Sequence, residues 1–447
     1  MHRLRMALAV LLALILSIAP LSEAFAQTSR LKILRDAEIE ELLKDYTRPI
    51  FRAAGLRNAG AVDTVIINDR SFNAFVADSQ RIFITVGALL DSPTPNQVIG
   101  VLAHETGHIS GGHLARLRNE LRTAQTTSIV AMLVGVAAVA AGAAAGADGR
   151  DIGGAATGVM AGGMGIAQRR LLAYQRTEEQ AADRAAINYL NATKQSGRGM
   201  IATFKKFAED DMFSSRYVDP YAQSHPMPRD RIANLEGLVE ASPYKDVKDS
   251  PALLLRHELM RAKISGYIET PQHVARRYPD VTTLPGKYAR AIAMAHNASL
   301  PAALKMMDEL IVAQPNNPYF QELKGQTLLE NARPREAIAP YQRAVALNPN
   351  AGLIRVGLGR AMVSSEDKSL LNEAVSQLER AVIQDPYSGD GYQFLAMAYG
   401  RKGDEGRASL ATAQGFFNAK DYKLAKTAAA QAKRILPSGS PGWLKAD

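Results

Sequence analysis

Val101-Leu102-Ala103-His104-Glu105-Thr106-Gly107-His108-Ile109-Ser110-Gly111-Gly112-His113 is the stretch on which the reading of this 447-residue chain turns. His104 and His108 lie four residues apart. Four residues of α-helix turn about 40° past a full circle, so both imidazoles leave the same face and form a pair of metal ligands. Glu105 sits about 100° round the helix from His104, within reach of a water held at an open coordination position. Thr94 as N-cap, Pro95 at the first helical position and Gln97 as capping-box partner predict where this helix begins. Val98, Ile99, Val101 and Leu102 give it a buried face and leave the histidines in its C-terminal half.

H-E-x-x-H on a helix is the arrangement used by zinc peptidases. Two histidines do not close a catalytic zinc site, which usually takes three protein ligands and one open position. The spacing therefore predicts a carboxylate from a second helix. Thr177-Glu178-Glu179-Gln180-Ala181-Ala182-Asp183 supplies it, inside a helical pattern that runs on through Ala186, Ile187 and Leu190. Glu179 and Asp183 share a face, so Glu179 is read as the metal ligand. Asp183 is read as the group accepting the outer N–H of a ligating histidine. Glu178 is the competing carboxylate, with no acidic residue four positions on. His113, five residues past His108, is read as structural and on a different helical face.

Ahead of the metal helix, Ile33 to Tyr46 and then Tyr46 to Leu56 read as two helices. Past Gly60 the period changes to two, and Thr64–Ile67, Asn73–Ala77 and Arg81–Val86 read as strands, with a turn at Asp78-Ser79-Gln80. Asn73-Ala74-Phe75-Val76 is the candidate edge strand for extended substrate, since main-chain hydrogen bonds accept any sequence. A purely structural hairpin is the alternative.

Composition bounds the rest. With 47% hydrophobic residues the chain can fill two or three cores. Arg3 and Arg5 precede the apolar run Met6 to Ile18, and Ala24-Phe25-Ala26 is a small-x-small site, so residues 1–26 are expected to be a secretory signal peptide. Without cysteine there is no disulfide and no thiol catalysis. The formal charge of +9, or +8 without Arg3, Arg5 and Glu23, is a mild excess with no basic run interleaved with aromatics, which argues against nucleic acid as a partner.

Residues 128–168 form an alanine- and glycine-rich insertion, uncharged from Ser128 to Ala147. It is long enough to span a bilayer, but alanine and glycine gain little from lipid. The expectation is a roof of tightly packed small-residue helices over the cleft, touching a membrane surface at most. Arg116, Arg118, Arg122, Arg169 and Arg170 flank it with charge suited to lipid head groups. After Asp249, Pro315, Pro349 and Pro386 fall at intervals of 34 and 37 residues. Glu336-Ala337-Ile338 and Glu373-Ala374-Val375 each open an alanine-rich helix ending in N-P or D-P, the signature of tetratricopeptide repeats, with three residues inserted near Ser365–Lys368. A last helix pair is expected over about 404–435. Stacked pairs make a solenoid whose concave face is the usual partner site.

His104-Glu105-Thr106-Gly107-His108, then Glu179-Gln180-Ala181-Ala182-Asp183, then Ser224-His225-Pro226-Met227-Pro228-Arg229-Asp230-Arg231-Ile232, in that order, resemble the M48 family of zinc metallopeptidases. With repeats behind them they most resemble its periplasmic group acting in outer-membrane β-barrel assembly. The resemblance implies an α+β zincin-like metallopeptidase domain (27–249) followed by an all-α tetratricopeptide solenoid (250–447). It implies one zinc held by His104, His108 and Glu179, with Glu105 as general base. It places His225 and Arg231 beside the metal, either as oxyanion donors or, for His225, in the open coordination position. Ala181 departs from the family, which commonly has an acidic residue there. Unfolded or stalled outer-membrane proteins are the implied substrates, and outer-membrane assembly machinery is an implied partner of the repeats. The competing expectation is a chaperone or assembly adaptor with a latent metal site.

Overall fold

The computed structural model describes residues 32–56, 62–78, 80–144, 149–213, 220–226, 229–297 and 299–447. The expected signal peptide lies outside the described residues, as do Met227 and Pro228 of the third motif.

Strand β1 (Ile33–Leu34) leads into helix α1 (Ala37–Ala53). The Asp36 side chain accepts the Ile39 N–H and so starts the helix there. The two helices read from the sequence are one: Pro49 lies inside it, while Tyr46 and Ile50 on either side are buried and hold the helix through the missing N–H. β2 (Asp63–Ile67), β3 (Ala74–Asp78) and β4 (Arg81–Thr85) complete a four-stranded sheet in the order β1-β2-β4-β3. β4 runs parallel to β2 and antiparallel to β3, leaving β3 at an edge. Val86–Leu90 (α2) then turns the chain into α3 (Pro95–Ser110), which opens with the Thr94/Gln97 capping box.

α3 is the central element. It packs against α1, β3, α5 (Gly149–Ala192) and α6 (Arg198–Phe213), the first arm of the insertion being α4 (His113–Ala144). Two glycines make this possible. A Cβ on Gly100 would lie 2.7 Å from Met200 Cβ, and one on Gly107 would lie 2.8 Å from the Ala182 carbonyl oxygen. Gly107 thus lets the backbone of α5 approach α3 at Ala182, next to Asp183 and one turn from Glu179. The first core joins Leu42, Tyr46, Ile66, Ile84, Leu102 and Phe204 across these elements, with α7 (Pro220–Ser224) and α8 (Arg229–Glu240) closing one side.

α4 and α5 pack on one another as the two arms of the alanine-glycine segment. Ile129, Val130, Leu133, Val134 and Ile166 remain exposed along them. Among the described residues no helix is long and apolar enough to cross a membrane.

Then come α9 (Pro251–Ile268), α10 (Pro271–Arg277), α11 (Leu284–Asn297), α12 (Leu300–Ala313), α13 (Pro318–Glu330), α14 (Pro334–Leu347), α15 (Gly352–Ser364), α16 (Leu371–Gln384), α17 (Gly389–Arg401), α18 (Glu405–Asn418), α19 (Tyr422–Ile435) and α20 (Pro441–Ala446). Consecutive helices pack pairwise into a helical-repeat array. The extra residues between α15 and α16 form a single 3-10 turn, Lys368–Leu370. α1 ties the array to the first core: Ala37 belongs to the repeat cluster of Leu328, Tyr341 and Leu358. Lys263 Nζ lies 2.7 Å from Asp36 and 3.3 Å from Glu38, and Tyr288 donates to Glu38 at 2.8 Å.

Candidate metal centre

Four side chains from three separate segments converge at the C-terminal half of α3. One ligand atom from each of His104, His108, Glu179 and His225 falls within 4.8 Å of the others. His104 Nε2 is 3.1 Å from His108 Nε2, 3.3 Å from His225 Nδ1 and 3.3 Å from Glu179 Oε2. Glu179 Oε1 is 3.4 Å from His108 Nε2 and 3.0 Å from His225 Nδ1. A tetrahedron with metal–ligand bonds of about 2.0–2.1 Å has edges of about 3.3–3.4 Å, so these separations fit a zinc-sized ion.

The charge balance points the same way. Glu105, Glu179 and Asp183 are all buried, and Arg231 is the cation among them. With the imidazoles deprotonated, as ligation requires, this leaves two negative charges that a divalent cation would balance in place of the proton His104 otherwise carries. Burial disfavours a charged His104, yet the Asp183 and Glu179 carboxylates, as acceptors of its ring N–H groups, outweigh it and raise the imidazole to about 9. His108 is held well below its ordinary 6.5 by burial and by the His104 charge, which keeps a ring nitrogen free to ligate. Burial raises the Glu179 carboxyl, but His225 and His104 overcome this and hold it well below 4.5.

Glu105 is placed differently. Burial is the largest influence and raises its carboxyl above 4.5, against the lowering effect of His225 and His104. Neither carboxylate oxygen has a hydrogen-bond partner, and His225 Nε2 lies 3.5 Å from Oε1. A buried carboxylate with both oxygens unsatisfied, next to a ligand set, is a proton acceptor in want of a donor.

The remaining candidates divide. Asp183 Oδ1 lies 3.0 Å from His104 Nδ1, the nitrogen turned away from the ligand cluster. Arg231 is 3% exposed and its guanidinium is engaged: Nε and Nη2 donate to Asp183 at 2.7 and 2.8 Å, and Nη1 pairs with Glu179 at 2.8 Å and donates to the Pro226 carbonyl at 3.0 Å. With those donors spent, the geometry favours a positioning role for Arg231 over an oxyanion donor. His225 Nδ1 faces the other ligands, which corresponds to the open-position alternative. Asn73 lies just before β3. Its N–H donates to Thr85 Oγ1 at 2.9 Å, and its side-chain oxygen is buried without a partner. Ala74 pairs with Ile84 and is fully buried, and Phe75 stacks on Phe83 at 5.3 Å.

Glu178, the competing carboxylate, points away from the cluster and pairs with His113 at 2.9 Å and Arg116 at 2.6 Å. His113 itself touches His108, Nδ1 to Nδ1, at 2.9 Å. The reading of His113 as a residue on another face of the same helix fails because α3 ends at Ser110. Gly112 adopts a φ of +67°, and the chain reverses to bring His113 back over His108. The paired glycines were the available signal. Tyr221, fully buried with its ring 4.7 Å from that of His225, had no signal in the sequence.

Residues 34–239 match Peptidase family M48. The chain is similar to the β-barrel assembly-enhancing protease of Yersinia pestis, 23% identical over 359 residues that cover 77% of this chain and 70% of that protein. It is similar also to the β-barrel assembly-enhancing protease of Escherichia coli strain K12, again 23% identical over 359 residues, covering 78% and 70%. Among solved structures, the TPR protein YrrB overlays at a TM-score of 0.32 with 21% identity, over 39% of this chain and 91% of that one.

Proposed function

Taking residues 34–239 as a Peptidase family M48 domain, we propose that this chain is a zinc-dependent endopeptidase of the cell envelope, with residues 27–249 as the catalytic unit and 250–447 as a tetratricopeptide solenoid. His104, His108 and Glu179 would hold one zinc ion. When bound, zinc supplies Lewis acidity, polarising a peptide carbonyl and making water a usable nucleophile near neutral pH. Glu105 takes the proton from that water and returns it to the departing amine, and its burial and lack of protein donors suit it to the task. Asp183 orients His104, and Arg231 holds Asp183 and Glu179 in register. Asn73, just before edge strand β3, and Ala74 and Phe75 at its start would take substrate in extended form.

His225 carries the most specific part of the reading. Its Nδ1 completes the ligand set, and its Nε2 stands before Glu105. The resting enzyme is therefore latent, and catalysis waits until the segment after α7 withdraws His225. The supporting observation is the four-donor cluster itself. The relatives' name supports a protease role in β-barrel assembly; on this reading unfolded or stalled outer-membrane proteins would be the substrates, outer-membrane assembly machinery a partner of the repeats, and the periplasm the location. The exposed apolar side chains of α4 and α5, near Arg118, Arg122 and Arg169, suit contact with an anionic membrane surface.

The closed site also favours a second reading, a chaperone or assembly adaptor whose peptidase is dormant. Cleavage of an unfolded β-barrel protein by the parent chain, by Glu105→Gln and by His225→Ala separates the two. The protease reading expects faster cleavage by His225→Ala and none by Glu105→Gln. Full biological function of Glu105→Gln would establish the adaptor instead.

A further inference from the structure

We propose that His113 is a positioning residue of the metal centre, fixing His108 in the tautomer whose Nε2 lone pair faces the other ligands, with Glu178 as its anchor. The inference rests on the reading of His104 and His108 as metal ligands. The two histidines are supported in unlike ways. His104 has a carboxylate directly behind it, Asp183 at 3.0 Å. His108 has another imidazole, His113, whose Nδ1 lies 2.9 Å from its own Nδ1.

Two facing ring nitrogens share one proton, so the pair alone leaves the direction of the bond open. Glu178 settles it. Its Oε2 lies 2.9 Å from His113 Nε2, and an ionised carboxylate only accepts. Arg116 donates to the same carboxylate, with Nη2 at 2.6 Å from Oε2 and Nε at 3.3 Å from Oε1. His113 Nε2 therefore carries a proton, and a neutral His113 offers a lone pair at Nδ1. His108 must donate from Nδ1, which leaves its Nε2 bare where it stands 3.1 Å from His104 and 3.4 Å from Glu179. Glu178, His113 and His108 form one directional chain that ends at the ligand cluster.

The local fold is shaped to hold that chain. Gly112, in the left-handed region, reverses the backbone. Gly111 leaves room for the ring: a Cβ there would collide with His113 Nε2 and Cδ2. Arg116, one turn into α4, donates to the Gly111 carbonyl as well as to Glu178, tying the reversal to the anchor. His113 is 6% exposed, so water does not take over as acceptor.

The test uses the full chain in a Glu105→Gln background, which prevents self-cleavage, with zinc affinity measured by competition against a chromogenic chelator. His113→Leu keeps bulk but loses the acceptor and is expected to weaken zinc binding about 10–100-fold. His113→Gln, whose side-chain oxygen accepts the His108 proton, is expected to recover most of it. Glu178→Leu is expected to fall between them, and it tests the chain should His113→Leu fail to fold. Nitrogen-15 spectra of the metal-free protein give a second readout: His108 protonated at Nδ1 in the parent, and mixed tautomers in His113→Leu. Zinc binding by His113→Leu within twofold of the parent, or equal weakening in the Gln and Leu variants, would overturn the inference. A parent that binds no zinc yet shows the fixed His108 tautomer would refute the metal reading and leave the relay standing.

Discussion

Replacing Arg231 by methionine tests how the carboxylates of the site are held. The guanidinium is buried and makes three ion-pair contacts between 2.7 and 2.8 Å, two to Asp183 and one to Glu179. Methionine fills similar volume without charge, so Asp183 is left in the interior without its cation and Glu179 with imidazoles alone. Removing one partner of a buried pair costs about 3–5 kcal/mol, and that is the loss expected at pH 7 in the metal-free protein. Burial raises the Asp183 carboxyl, but the Arg231 hydrogen bonds outweigh it and hold it below 3.8. Its contribution is thus present above 3.8 and lost as pH falls. In Arg231→Met that carboxyl rises and protonates more readily, so the stability gap narrows on acidification. Zinc would compensate Glu179 and narrow it too. Urea unfolding followed by far-ultraviolet circular dichroism, at pH 7.5 and 5 with and without zinc, measures all three effects, and Arg231→Lys separates charge from fork geometry. A loss below about 1 kcal/mol at pH 7.5, the range of exposed ion pairs, would refute the reasoning.

Three further outcomes are expected. Burial holds His257 down to about 4 from 6.5, so the unfolded chain binds its proton first as pH falls. Stability is complete above 6.5 and drops by about 3 kcal/mol toward pH 4, and His257→Gln should show a smaller drop in parallel urea titrations. Gly107→Val puts a branched side chain where α5 already meets α3, 2.8 Å from the Ala182 carbonyl, and purified protein should contain little metal; full occupancy would contradict the close-approach argument. Lys263→Met strands Asp36 and Glu38 where α1 enters the repeat array. Limited proteolysis should then cut between the array and the first core, and an unchanged digestion pattern would count against this attachment.

Much of the site was legible because it is local. The capping box of Thr94 and Gln97, the i, i+4 histidines and the Glu179/Asp183 pair each lie within one helix, where the period alone fixes which side chains share a face. What escaped the sequence depends on where helices stop and which distant groups meet. Counting five residues from His108 to His113 assumed a continuing helix, and the reversal at Gly112 undid it. Arg231 and Asp183 are separated by 48 residues, and no local pattern reveals that the guanidinium is already committed. The same holds for α1, whose Glu38 meets Tyr288 across 250 residues. Over residues 33–56 two helices were expected where there is one, since burial on both sides carries α1 through Pro49, a residue that usually breaks a helix.

The proposed chemistry rests on zinc held among His104, His108, Glu179 and His225. X-ray absorption at the zinc edge, on full-length Glu105→Gln protein loaded with one equivalent, reads those ligands directly. Three imidazole nitrogens and one carboxylate oxygen are expected, with His225→Ala losing one imidazole and keeping its zinc while Glu179→Gln loses most of the metal. A spectrum with two imidazoles in the parent protein, unchanged by His225→Ala, or full zinc retention in Glu179→Gln, would contradict it.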